Sequence, residues 1–208
     1  MSLPVLILIV GFTYIVLMGG LSLLRREGFS AQFAIEAITL TGLASGLVAL
    51  AGFYVHPILF LLALYLITMR VRLLVDIGTT FAKSGRFSQA DNVYQLATRL
   101  WPDETGKMVI LVNQSTALVQ QGRLDEAIAA FRSVLERSNQ GYLSVKYESA
   151  AHYNLGVAYL RKNLEASAAV EFNAVLDTWP ASEYARQAAS ALEQRSRKNL
   201  STPGQEKQ

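Results

Sequence analysis

Apolar positions change their rhythm once along the chain, near residue 70. Before that point they form long runs, from Leu3 to Leu24, Phe33 to Val55 and Pro57 to about Val75. After it they recur every three or four residues among charged and amide side chains, the spacing of amphipathic helices. The first pattern predicts helices that are apolar on all sides, of roughly the 20 residues that cross a bilayer. The second predicts short helices that each turn one face to a shared core. Neither glycine nor proline interrupts Ile58 to Ile77, so one continuous helix is expected to leave the apolar region and open the amphipathic one.

Residues 1–75 therefore read as a membrane anchor of three helices, about 3–24, 33–55 and 57–75. No basic residue precedes the first apolar run and no small-residue cleavage pattern follows it, which favours an uncleaved anchor over a signal peptide. Arg25 and Arg26 follow the first segment, and Arg70 and Arg72 come two crossings later on the same side. The positive-inside rule makes that side cytoplasmic and leaves the N-terminus outside. His56-Pro57 predicts a tight turn between the second and third segments, with a shallow re-entrant hairpin as the alternative. Gly42 and Gly46, extended by Ala49, form a small-residue face suited to close helix–helix contact, within the chain or between copies. Glu36 is an acid near the edge of an apolar segment and reads as an interfacial carboxylate rather than a proton-carrying site.

The amphipathic half repeats itself when Gly85, Gly122 and Asn163 are superposed. A small residue stands seven positions before each (Gly78, Ser115, Gly156), an alanine five after (Ala90, Ala127, Ala168) and an aromatic nine after (Tyr94, Phe131, Phe172). Each unit thus reads as two helices joined by a tight turn, with the small residues at close approaches and the aromatics filling the space between neighbouring units. Asn163 replaces glycine at the third turn, and asparagine tolerates a left-handed backbone better than most residues. Tyr184, Ala185, Ala188, Ala189 and Leu192 continue the helical spacing and predict a capping helix over 183–198, followed by a disordered tail over 199–208. The basic run Arg195 to Lys198 reads as a solvated helix end.

These units resemble the tetratricopeptide repeat family, with its period of about 34 residues. They would run 71–104, 108–141 and 149–182, and Tyr153-Asn-Leu-Gly-Val-Ala-Tyr159 is the nearest match. Departures are Gln114-Ser115 for Leu-Gly and Asn139 for proline in the second unit, and Asn163 and Glu165 in the third. The expected fold is all-α: N-terminal transmembrane helices, then a three-unit helical solenoid and its cap over 71–198. The resemblance implies a groove lined by the first helix of each unit that holds a peptide or helical segment of a partner protein. Carried over residue by residue, its lining is Val75, Asp76 and Thr79, then Val112, Asn113 and Thr116, then Tyr153, Asn154, Val157 and Arg161. Asp76, Asn113 and Asn154 are equivalent, and their side chains are suited to bonding an extended backbone. Repeats that clamp a terminal carboxylate carry Lys and Asn where this chain has Val75 and Thr79, so that specificity is disfavoured. In layout the chain also resembles tetratricopeptide-repeat assembly factors of photosynthetic membranes.

Composition narrows the chemistry further. A formal charge of only +3 over 208 residues requires no nucleic-acid surface. Without cysteine, and with His56 and His152 lacking acidic partners at ligand spacing, no metal site is expected. Phosphate-binding, dinucleotide and zinc-protease motifs are absent, so neither a cofactor nor catalysis is expected. The reading is a non-enzymatic adaptor, held at the lipid bilayer, that recruits a partner or assists assembly of a membrane complex. The alternative is a structural subunit of a larger membrane complex.

Overall fold

The computed structural model describes residues 2–28, 30–138 and 141–201. Among them are ten helices and no strand. The chain divides into two compact units, Met1–Ile110 and Leu111–Gln208.

In the first unit, α1 (Leu3–Leu24), α2 (Ala31–Ala51) and α3 (Pro57–Thr68) pack on one another. Both α1 and α2 are long and apolar enough to cross a membrane. Their shared core is formed by Ile7, Tyr14, Phe33, Ala37, Val48, Phe60, Leu64 and Met69. The tightest point is Gly11, where a β-carbon would lie 2.3 Å from the Thr41 side chain. Gly42 and Gly46 do not supply that contact: a β-carbon at either meets nothing within 4 Å. The buried face of α2 carries Ala37, Thr41, Ser45 and Val48 instead, and Gly42 and Gly46 stand one residue, about 100°, round the helix from Thr41 and Ser45. The expectation of intrachain packing through Gly42 and Gly46 is thus corrected.

Two boundaries also differ from the sequence reading. Helix α2 stops at Ala51 rather than Val55, because Gly52 takes a left-handed backbone (φ +67°) and turns the chain out of the helix. Residues 52–56 then form a connection longer than a corner at His56-Pro57, and the Ile58 amide donates to His56 Nδ1 at 3.3 Å. More consequential, Pro57 to Val75 is not one helix. It breaks at Met69, and α4 (Arg70–Lys83) leaves α3 at 67°. Breaks without glycine or proline need a side chain that competes for the backbone ladder. Here Arg70 Nη1 donates to the Ile67 carbonyl at 2.7 Å, and Thr68 Oγ1 donates to the Leu64 carbonyl at 2.8 Å.

Helix α4 pairs with α5 (Phe87–Arg99) to complete the first repeat. Helix α6 (Glu104–Gln121) follows, and the division between the two units falls within it. In the second unit α7 (Leu124–Ser138) packs on α8 (Val145–Arg161), α8 on α9 (Glu165–Thr178), and α10 (Glu183–Ser201) on both α9 and α8. The three repeat turns are left-handed at Gly85 (φ +74°), Gly122 (+79°) and Asn163 (+59°). Helix α8 begins at Val145, ahead of its repeat. Asn139 lies outside the described residues, as do 202–208 of the expected tail and the side chain of Lys198. Helix α10 runs on to Ser201.

In the first and third repeats the aromatic lies against the small residue of its own repeat. Tyr94 lies against Gly78 and Phe172 against Gly156, inside their own repeats; a β-carbon at either glycine would meet the ring at 2.6 or 2.7 Å. Contact between the two helices of one repeat, rather than between repeats, is what requires glycine there. Ala90, Ala127 and Ala168 are fully buried beside these rings' helices, as are Tyr94 and Phe131.

Candidate functional site

Within the second unit, the sequence-predicted lining residues differ in what they offer. Val112 is buried (3% exposed), so its side chain is part of the core and not of a surface. Asn113, Thr116, Tyr153, Asn154 and Val157 are half-buried, and Arg161 is exposed. Thr116 Oγ1 donates to the Val112 carbonyl at 2.8 Å, and Asn154 Nδ2 to the Ala150 carbonyl at 2.8 Å. The amide hydrogens of Asn154 are therefore partly engaged by its own helix. Arg161 Nη1 donates to the Val119 carbonyl at 2.7 Å, which ties the end of α8 to the end of α6.

Tyr153 is held between two rings, Phe172 at 5.9 Å and Tyr184 at 5.6 Å. Burial holds the Tyr153 phenol above its ordinary pKa. Burial does the same to Tyr184, with the neighbouring Tyr153 adding to the effect. This places an aromatic seam along α8 from the repeat to its cap. His152 sits near it, with Nδ1 2.7 Å from Glu171 Oε2. Sequence spacing gave no sign of that partner, because the two residues are 19 apart and meet only when α8 and α9 pair.

In the first unit, Val75 is buried (4% exposed) and so, like Val112, belongs to the core. Both lie where the lining face of a first helix meets its buried face, and packing turns them inward. Asp76 is exposed and Thr79 half-buried. The Thr79 hydroxyl lies 3.2 Å from the Tyr94 hydroxyl. Burial raises the pKa of Tyr94, and that hydrogen bond opposes the rise.

The first unit also holds a polar collar that the sequence did not announce. Arg70 forms a two-point ion pair with Glu36, Nη1 to Oε2 at 2.5 Å and Nη2 to Oε1 at 2.8 Å. Its Nε donates to the Leu100 carbonyl at 3.2 Å. Gln32 Nε2 bridges Glu36 Oε1 (2.6 Å) and the Trp101 carbonyl (2.9 Å). Arg72 Nη1 meets Glu27 Oε2 at 2.5 Å and its Nη2 meets Ser22 Oγ at 3.1 Å. Ser30 Oγ donates to Asp103 Oδ2 at 2.6 Å, while Asp103 Oδ1 caps α6 by accepting from the Gly106 amide at 2.7 Å. Of these, Ser22, Ser30, Gln32, Glu36, Arg70, Arg72 and Asp103 line one cleft, and fork-shaped guanidinium–carboxylate pairing gives it a defined geometry. The collar joins the C-terminal end of α1, the N-terminal end of α2 and the first repeat. A signal was present in the sequence: Glu27 and Glu36 flank one apolar connection, and Arg70 and Arg72 stand two apart at the next polar edge.

A family model described as tetratricopeptide repeat matches residues 112–183, from within α6 to the start of α10. This region is a tetratricopeptide-repeat region, all-helical, preceded by two apolar helices. Neither the curated proteins nor the solved structures contain a match to the chain. Tetratricopeptide repeats serve in general as protein–protein interaction units and are typically non-catalytic.

Proposed function

We propose that this chain is a membrane-anchored adaptor, with α1 to α3 in the bilayer and the repeats on its cytoplasmic face binding a segment of a partner protein. The observation that carries the reading is the collar. Two arginines that flank apolar helices are ion-paired to Glu36 and Glu27, and the side chain of one of them, Arg70, also reaches the Leu100 carbonyl of the first repeat. A flexible tether would need none of these ties. Support for the anchor comes from large apolar side chains left exposed on α1 and α2, among them Phe12, Ile35, Ile38, Leu43 and Leu50, a surface far beyond what a water-soluble chain tolerates. The positions of Arg25, Arg26, Arg70 and Arg72 support the orientation with the N-terminus outside.

For the partner surface, the accessible candidates are Asp76 and Thr79 in the first unit and Asn113, Thr116, Tyr153, Asn154, Val157 and Arg161 in the second. A photoreactive residue at Val157 or Arg161, in native membranes, should crosslink to a distinct partner. That product should vanish when Asn113 and Asn154 are both replaced by alanine. Crosslinks confined to bilayer-embedded subunits, and indifferent to those substitutions, would overturn the adaptor reading in favour of a structural subunit.

A further inference from the structure

The first and third repeats end on the same dipeptide, Trp101-Pro102 and Trp179-Pro180, at the same repeat position. In the third repeat the tryptophan is half-buried with φ −151°, and its carbonyl accepts from the Ser182 amide at 3.0 Å, within its own turn. Trp101 is 83% exposed, and its backbone is left-handed at φ +49°. For a residue with a β-carbon that conformation is unfavourable and persists only where neighbours enforce it. The neighbours here are Gln32, which donates to the Trp101 carbonyl, and Arg70, which donates to the Leu100 carbonyl. Gln32 lies in the first turn of α2, where the apolar helix begins. The hydrogen bond therefore fixes the backbone of Trp101 at the level of the polar edge of that helix, with the indole turned out of the protein.

We propose that Trp101 is a bilayer-interface anchor, its indole seated among the headgroups of a phospholipid bilayer beside α2. The inference rests on the proposed membrane insertion of α1 and α2. An indole pairs an apolar ring with one N–H donor, and tryptophan accordingly favours the boundary between headgroups and acyl chains. The apolar surface of α2 continues directly to this level, so the occupant of the exposed ring is the same lipid that surrounds the helix. The repeat is thereby held at the surface through a side chain as well as through the collar.

The chain has only two tryptophans, so Trp179→Phe isolates Trp101 as the sole indole. The full chain is reconstituted in phosphatidylcholine vesicles whose acyl chains carry bromine at shallow or deep positions. A second protein, with Trp101→Phe, Trp179→Phe and Leu8→Trp, reports on insertion of α1. The expected result is that Trp101 loses most of its emission to shallow bromines and much less to deep ones, while the Leu8→Trp reporter is quenched most by deep bromines. Quenching of the reporter with no quenching of Trp101 would overturn the inference and leave the membrane reading standing. Quenching of neither would overturn both. Should Trp179→Phe misfold, the wild type is compared with Trp101→Phe alone: the shallow-quenched component disappears with Trp101, and its persistence refutes the assignment.

Discussion

In the first repeat Gly78 lies under Tyr94, in the third Gly156 lies under Phe172, and each repeat closes on a Trp-Pro pair. The two are built to one plan, yet their ends are finished in opposite ways. The third is completed by its own chain: α10 packs on it, Tyr184 stacks on Tyr153, and the Trp179 carbonyl is satisfied three residues later. The first is completed by residues up to 73 positions away, through Glu36, Gln32 and Ser30. A solenoid end must be covered by something. The comparison teaches that a repeat can take its cover from an apolar hairpin through charge pairs as well as from a capping helix through apolar contact.

The largest effect should come from the rings. Phe172→Ala is expected to cost about 3–5 kcal/mol, the range for emptying a fully packed aromatic site. Tyr94→Ala should cost less, because the collar still holds the first repeat. Thermal unfolding followed by circular dichroism on the full chain in bilayer discs would compare them, and equal losses would break the contrast. Next comes the collar itself. Glu36→Gln should weaken the tie to Arg70 by about 1.5–3 kcal/mol, as for a charged hydrogen bond. Backbone amides over Met69 to Leu73 would then exchange hydrogen about 10- to 100-fold faster, with exchange in α8 and α9 unchanged. Unaltered exchange at Met69 would mean that the break is set locally and not by the ion pair.

Smaller effects sharpen the comparison at the turns. Asn163→Ala should cost about 1 kcal/mol, since alanine has no means to ease a left-handed backbone. Asn163→Gly would give the third turn the residue of the first and should change stability by only a few tenths of a kcal/mol. Denaturant unfolding of the pair decides this. Least in size is the alkaline response. Burial favours the neutral phenols of Tyr94, Tyr153 and Tyr184, so the folded chain retains protons that the unfolded chain has released above about pH 10. Their contribution is intact below that range and declines as pH rises through the folded values. Thr79→Val should push Tyr94 higher still, by removing the hydrogen bond that favours its ionisation, and leave Tyr153 and Tyr184 unmoved in an absorbance titration.

What the sequence revealed follows from distance along the chain. Gly85, Gly122 and Asn163 mark turns whose geometry is decided by one residue each, and the periodicity around them identified the repeats. The break at Met69 has no such local mark. Arg70 and Thr68 engage the Ile67 and Leu64 carbonyls there, and Arg70 is also held by Glu36, 34 residues earlier, but neither glycine nor proline between Ile58 and Ile77 marks the place. The candidate lining fared between these extremes. Arg161 and Asp76 are at the surface, whereas Val75 and Val112 were assigned to the groove by repeat position and are buried. A half-turn of helix separates core from groove, and only the partners of each helix decide which side an edge valine takes.

The 67° break has a consequence for reach. In the membrane-anchored reading proposed above, with α3 along the bilayer normal, the 14 residues of α4 would make a rod of about 21 Å that climbs only about 8 Å from the membrane. That height is close to the screening length of physiological salt. On that reading the first helix of the repeats would stay inside the ionic atmosphere of the lipid surface. Partner segments would then be sorted by that atmosphere before they touch a side chain: a strongly acidic one would be repelled by anionic lipid, and a basic one concentrated there.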